Sequence, residues 1–549
     1  MDNNVKQTEP DYQAAGRASL VKGSAWMTAG SVFSRFLGAI YIIPWNAWMA
    51  TSLANALFAR GYNIYSFFLI VSTAGIPGAI SKQIAHYNAL NEYSTGNKLF
   101  KQGLKIMALT GIITAALMYF AAPAIAQIFG DGDPHLIPVL KALSAALLII
   151  PVMSISRGYF QGYNQMAPSA ISQFMEQVGR VLYMLAATFV IMKVQKGSYV
   201  GAVVQSTFAA FIGAVCGLVI LGVYFVKQLP RLQKLALGSR TNNQAEQQNF
   251  FFEIWGQALP FIILDAGIII FQLFDQATFD FMMKTFYRLS KETLDSLYAL
   301  FSFNANKLIM ITVSLATAMS VTAVPLLSAA FSRRDRQNVR VQIANTLQLF
   351  LLVMIPASLG MYAVARPLYI LFYGYDRIGI YVLQFNSIVA ILMGLFTVLS
   401  SILQGVYQNR LAIRYFLVGL IAKMIMQYPL IWLLGVFGPL AATAVGMTVS
   451  CLLMLKLLML KFDFSLGQTI NRTCGMLCLA VLMLVGVMLV DHVGYHMVPT
   501  LSRGFAFSML LLEVFIGSLI YGYLLLRTHL GERILGQRVA HVRQSLHIK

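Results

Sequence analysis

Gln161-Gly162-Tyr163-Asn164-Gln165 and Gln404-Gly405-Val406-Tyr407-Gln408 are two versions of one short motif, set in two halves of a single hydrophobic chain. Upstream of each lies a second matched pair: Pro123 to Gly130 (PAIAQIFG) answers Pro367 to Gly374 (PLYILFYG) at almost the same offset. Matched segments in the same order along an apolar chain indicate an internal duplication. A duplicated set of membrane spans is a recurrent plan of carriers, with a site between two lobes. The pattern points to transport.

Composition sets the medium. The chain has 549 residues, of which 58% are hydrophobic and only 11% charged, and its mean hydropathy is +0.70. Soluble domains carry about 25% charged residues, so this chain lacks the polar skin that water requires. It reads as an all-α polytopic membrane protein. The polar start, Met1 to Lys22, has neither the n-region nor the h-region of a cleavable signal, and no processing is expected. The net charge of +20 raises the question of nucleic acid. Lys and Arg cluster in alternate loops, however, which is the positive-inside pattern of a membrane topology, and no nucleic-acid partner is expected. Cys216, Cys451, Cys474 and Cys478 all fall in apolar stretches, without the histidines or further thiols that would complete a metal set.

A hydrocarbon core of about 30 Å takes roughly 20 apolar residues per helix, which divides the chain into about fourteen spans. Six run from Ala25–Trp45, through Tyr62–His86 and Gly103–Phe129, to Ser198–Val226; six more run from Phe251–Phe274, through Gln342–Phe372, to Gly438–Leu460. The pair Cys474–Val490 and Phe505–Leu526 is appended. The expected organisation is an N-terminal tail and N-lobe (1–226), a cytoplasmic linker (227–250), a C-lobe (251–461), and a last helix pair with a cytoplasmic tail (462–549). Basic residues follow the second, sixth, eighth and last spans, whereas Gly130 to His135 carries two aspartates and no base. Both termini are therefore expected in the cytoplasm. An even number of spans per half makes the two six-helix lobes parallel repeats. Asp275 to Asn304 reads as the longest external loop, with a short helix on the interface.

Ionisable groups inside spans are costly and mark a pathway or a paired site. They are Arg35, Glu176, Arg180, Asp265, Lys307 and Lys423, with Lys141, Glu253 and Glu513 nearer predicted span ends and Lys82 closing the second span. Gln173, Glu176, Gln177 and Arg180 recur at i, i+3, i+4 and i+7, so they share one helical face that cannot lie against lipid. The repeat offset carries Arg180 onto Lys423, with Gln427 one turn further. Two readings stay open. Glu176 and Arg180 neutralise each other within the helix, or the surplus of cations over Glu176 and Asp265 makes a cavity for an anion. A phosphate or pyrophosphate would suit the planar arginine fork. Asp265 either pairs with one of the cations or binds a coupling proton or sodium ion; no other cofactor is expected.

No Gly-x-x-x-x-Gly-Lys-Ser/Thr, His-Glu-x-x-His or Gly-x-Ser-x-Gly sequence is present, so neither a nucleotide-hydrolysing nor a common hydrolytic site is encoded. Asp131-Gly132-Asp133 matches an Asp-x-Asp metal–nucleotide pattern, but Asp-Gly-Asp-Pro is ordinary turn chemistry. The histidines lie scattered near span ends without ligand spacing.

Several stretches carry a resemblance. Ser34-Arg35-Phe36-Leu37-Gly38, Thr73-Ala74-Gly75-Ile76-Pro77 with Ile80-Ser81-Lys82, and Arg157-Gly158-Tyr159-Phe160-Gln161-Gly162-Tyr163 leading to Gln173 and Glu176-Gln177 resemble the polysaccharide-export branch of the MOP flippase superfamily. Within it the chain is similar to the SpoVB/YtgP group, which includes MurJ-type lipid II flippases. The similarity runs over essentially the full length, and the Arg-Gly-Tyr-Phe-Gln-Gly-Tyr run is fairly specific to that group.

The resemblance implies a MATE-like, two-lobed flippase of fourteen helices in the bacterial cytoplasmic membrane. Such a protein moves an undecaprenyl-pyrophosphate-linked cell-wall precursor by alternating access, without enzymatic chemistry. The family's first-span arginine maps onto Arg35, and the basic residue ending its second span maps more loosely onto Lys82. Where such proteins carry a second arginine six residues after the first, this chain has Tyr41. The implied reading is a cationic cavity of Arg35, Arg180 and Lys423 holding the pyrophosphate, assisted by Lys82 and Lys307 and supported by Gln173, Glu176 and Gln177. The prenyl tail would stay in membrane lipid beside the last helices. Rival readings are a flippase for another lipid-linked glycan, a cation-coupled multidrug exporter, a membrane-embedded glycan enzyme, and a scaffold for cell-wall synthesis enzymes.

Overall fold

The computed structural model describes residues 37–38, 40–73, 75–163, 165–239, 262–463, 467–535 and 537–545, and among them there is no strand. Ten helical segments of these residues are long and apolar enough to cross a membrane by length and composition. One of them, Asn409–Phe462, is a helix pair folded back at Gly435–Phe437. This agrees with a polytopic protein of about fourteen spans, several of which lie partly outside the described residues. The chain divides into two compact units, Met1–Ile262 and Ile263–Lys549.

In the first unit the helices are α1 (Ile42–Met49), α2 (Ser52–Thr73), α3 (Ile76–Ala89), α4 (Tyr93–Phe120), α5 (Ala122–Phe129), α6 (Leu136–Gly162), α7 (Met166–Phe189) and α8 (Tyr199–Leu237). The second unit holds α9 (Gly267–Tyr287), α10 (Lys291–Ala299), α11 (Asn306–Ser332), α12 (Arg336–Ala363), α13 (Ala365–Tyr373), α14 (Arg377–Gly405), α15 (Asn409–Leu434) and α16 (Gly438–Phe462). It continues through α17 (Gly467–Met497), α18 (Arg503–Arg527), α19 (Leu530–Leu535) and α20 (Gln537–Ser545).

The repeated motif is a helix turn. Gln165 N donates to Phe160 O at 2.9 Å after α6, and Gln408 N donates to Leu403 O at 2.8 Å after α14, the same bond in each unit. The second matched pair is α5 and α13. Each opens with proline in its first turn, where the missing N–H costs nothing, so the preceding long helix ends at Ala121 in one unit and at Val364 in the other. The segments read as single spans over Gly103–Phe129 and Gln342–Phe372 are thus a long helix and a short one. The expected span Tyr62–His86 is likewise two helices, interrupted at Gly75, whose φ of 75° is open to glycine at little steric cost.

Three further differences have local causes. α8 runs on to Leu237, so residues 227–237, read as linker, continue a helix; most of the rest of that linker, and the start of the seventh span, lies outside the described residues. The last helix pair is part of the second unit because it shares its core: Met476 and Ala480 of α17 pack on Leu352 and Ile355 of α12. The stretch Asp275–Asn304 is not a loop. α9 continues to Tyr287, Ser290 caps α10 by accepting from Thr293 N at 3.3 Å, and a π turn at Leu300–Ala305 leads into α11. Phe279 and Met283, spaced one turn apart, are buried on the continued face of α9.

The pairs α7–α8 and α15–α16 pack with their backbones close, and glycine makes this feasible. A Cβ at Gly213 of α8 would lie 2.6 Å from Glu176 O and 2.9 Å from Arg180 Cβ; at Gly446 of α16 it would lie 2.6 Å from Gly419 O and 2.8 Å from Lys423 Cβ. The duplicated cation therefore sits at a close approach of the same helix crossing in both units. Gly446→Ala is expected to destabilise the protein by about 1–3 kcal/mol through overpacking. Gly222→Ala, where no heavy atom lies within 4 Å of the added Cβ, should unfold at the wild-type temperature in the same detergent.

Candidate functional site

α7 carries the polar stripe, and its Gln173, Glu176, Gln177 and Arg180 are each partly exposed. Glu176 is held from two sides. Arg157 Nη2, from α6, donates to its Oε2 at 2.9 Å, and Arg180 Nη2, one turn along α7, donates to its Oε1 at 3.1 Å. Arg157 also gives Nε and Nη2 to Ser172 Oγ, which donates to Gly217 O of α8 at 2.9 Å. The Arg157 guanidinium is thus fixed by three helices. Two guanidiniums share one carboxylate, so the cluster keeps one positive charge in excess, and its side chains retain 15–18% exposure. The enclosed Arg180 Nε–H finds no acceptor among the described residues. The phenols of Tyr41, Tyr62 and Tyr65 lie within electrostatic reach of Arg180, so Tyr41 stands beside a cation.

The equivalent position in the second unit is built differently. Lys423 of α15 has no exposed surface, and its Nζ donates to Phe271 O and Asp275 Oδ2 of α9, both at 2.7 Å, and to Thr443 Oγ1 of α16 at 2.8 Å. The other oxygen, Asp275 Oδ1, accepts from Gln427 Nε2 at 2.8 Å. Its three protons are used, its charge is matched by one carboxylate, and the Phe271 ring centroid lies 4.9 Å away. The expectation that Lys423 holds an anion is corrected in this conformation: the ammonium is an internal brace of α9, α15 and α16. In the sequence its partner Asp275 stands at the start of a charged stretch that reads as a loop. The helical spacing of Phe279 and Met282 beyond Asp275 was the signal that α9 continues.

Lys82 is exposed on α3, outside the arginine cluster. Lys307, on α11, lies 5.7 Å from the Phe303 ring centroid and is partly exposed. Arg35 lies outside the described residues. Asp265 pairs with no cation among the described residues. It faces a pocket of about 410 Å³ whose wall combines apolar Leu264, Ile268, Val324 and Phe396 with the hydroxyls of Thr317, Ser320, Thr397, Ser400 and Ser401 and the Gln404 amide. The sequence singles out Arg157 only within the Arg-Gly-Tyr-Phe-Gln-Gly-Tyr run, because nothing in a linear sequence brings α6 against the Glu176 face of α7. No group of three or more metal-ligating side chains occurs among the described residues.

Comparison with known proteins assigns the family. Residues 20–331 match the model of the family described as polysaccharide biosynthesis protein. The chain is also 33% identical over 535 residues to the lipid II flippase MurJ of Bacillus subtilis (strain 168), covering 95% of this chain and 98% of that protein. The chain belongs to this family. Among solved structures, it is similar to a lipid II flippase MurJ in an inward closed conformation, with a TM-score of 0.61 at 15% identity over 93% of this chain and 99% of that one. A multidrug resistance MATE family transporter of the MOP superfamily, in an inward-facing conformation, matches with a TM-score of 0.58 at 12% identity, over 77% and 94% of the two chains. The fold is that of the MOP superfamily, in a multi-pass membrane protein.

The buried Lys423 site predicts a loss of stability that a second substitution restores. Lys423→Met strands Asp275 in the interior and should cost about 3–5 kcal/mol of stability, read as a lowered unfolding temperature. Adding Asp275→Asn to it should recover most of that loss.

Proposed function

We propose that this chain is a flippase that moves lipid II, an undecaprenyl-pyrophosphate-linked cell-wall precursor, across the bacterial cytoplasmic membrane by alternating access, with both termini in the cytoplasm. The observation that carries the reading is the Arg157–Glu176–Arg180 cluster in a chain related over 95% of its length to a lipid II flippase. A pyrophosphate needs charge and several convergent N–H donors. Two guanidiniums on adjacent helices supply both, and each planar fork can engage two oxygens. Glu176 holds the forks in place when no substrate is bound. The single surplus charge favours an anion without trapping it.

No covalent step is required of the protein. It offers the head group a polar path and leaves the prenyl chain in lipid. The membrane potential, negative inside, favours outward movement of an anionic head group by about 2.3 kcal/mol per charge per 100 mV. Lys82 is a further cation on the same unit, and Arg35 is assigned a like role from its sequence position. Asp265, facing a pocket where hydroxyl and amide side chains alternate with apolar ones, is the group proposed to take a coupling proton or sodium ion. A surplus of positive charge argues against cationic drugs as the cargo.

The test uses the full-length protein in proteoliposomes with labelled lipid II. Arg157→Ala and Arg180→Ala should each slow translocation about tenfold or more, the scale of losing a hydrogen bond to a charged group. Lys82→Ala should slow it less. Wild-type rates in both arginine variants would remove the cluster from the site.

A further inference from the structure

The second unit contains an ionisable cluster that the transport reading does not use. Glu513, in the middle of α18, has no exposed surface, and neither of its carboxyl oxygens finds a donor among the described residues. The antiparallel register of α17 and α18, in which Gly517 meets Val487 and Gly494 meets Met509, sets another carboxyl, Asp491 of α17, opposite it. Asp491 keeps 18% exposure; its Oδ2 lies 3.7 Å from Arg366 Nη1 of α13, and its Oδ1 is enclosed without a donor. Arg366 in turn stacks on Tyr495 of α17 at 3.8 Å. His492, exposed beside Asp491, is the other titratable group facing the cluster from α17. α12 meets the same helix with apolar Leu359 and Ala363.

The surroundings are apolar on both sides. Ala363, Val364, Met483 and Val487 pack to one side, and Ile370, Ala506 and Met509 with Tyr495 to the other. Inside this shell two carboxyls face one guanidinium. A carboxylate can only accept hydrogen bonds, so two ionised carboxylates would repel and leave one buried negative charge unanswered, at a cost of several kcal/mol. One proton removes both problems: it supplies the missing donor and brings the cluster to neutrality.

We propose that Glu513 and Asp491 share a bound proton, and that this carboxyl–carboxylate bond, braced by Arg366, docks the α17–α18 pair onto α13. Asp491 is the exposed member of the pair, so the proton enters and leaves through it. Arg366 sits in the first turn of α13, directly after the break at Val364. The proton therefore ties the appended helix pair to the short helix that the duplication places in each unit. The proposal stands apart from the identity of the transported lipid.

Two measurements on the purified full-length protein test it. The infrared spectrum at neutral pH should contain the C=O stretch of a protonated carboxyl, shifted in D2O and lost in Glu513→Gln and in Asp491→Asn. The folded protein then holds a proton that its unfolded chain releases, so its folding constant should fall up to tenfold per pH unit as pH rises. In Glu513→Gln, where the amide N–H replaces the shared proton, that component of the slope should vanish. Absence of the band in the wild type, its persistence in both variants, or an unchanged pH slope in Glu513→Gln would overturn the proposal. So would stabilisation of the wild type by magnesium or calcium that Glu513→Gln abolishes, since a metal ion would then be the bridging group.

Discussion

A charge placed among membrane helices must be answered by another group, because hydrocarbon offers no water to do so. The architecture of both units follows from how each answers the same duplicated cation. At Lys423 the answer is complete: three oxygens from two neighbouring helices take its three protons, and Asp275 cancels its charge. At Arg180 the answer is partial, since Glu176 is shared with Arg157. One unit has a closed brace and the other an open electrostatic surplus. Duplication supplied the position; the source of the counter-charge decided its use.

That source differs in a simple way. Glu176 stands on the same helix as Arg180, one turn away, so the pair is formed at the helix surface and stays partly exposed. Asp275 comes from a different helix, and the pair can form only by bringing α9 against α15, which closes the space around it. The glycines at 213 and 446 serve both cases by letting the partner helix approach the backbone beside the cation. Close packing and polar satisfaction are thus achieved at one place, as expected where apolar surface alone gives helices no reason to choose one partner over another.

Much of this was legible before any coordinates. Apolar runs of spanning length, alternation of basic loops and paired motifs mark a duplicated helical membrane protein, and the turn after α6 matches the turn after α14 to the same backbone bond. Periodicity also placed Gln173, Glu176, Gln177 and Arg180 on one face. Two kinds of error had physical causes. Charged residues near Asp275 and Lys284 suggested a loop, because a helix that leaves the apolar pattern looks like its end; the buried face of α9 in fact continues through Phe279 and Met283. Prolines 123 and 367 were read within longer spans, although proline in a first turn starts a helix as readily as it bends one.

The sequence by itself determined the solvent, the helical class, the repeat and which cations lie within spans, because these depend on composition and on spacing along one chain. Only the tertiary structure decided which cations are spent. Arg157 joins Glu176 from nineteen residues away in the chain, Lys423 meets Asp275 across nearly 150, and Arg366, Asp491 and Glu513 converge from three separate helices. Electrostatic energy in a low-dielectric interior is set by separation in space and by access to water. A linear pattern encodes neither beyond a single helix face.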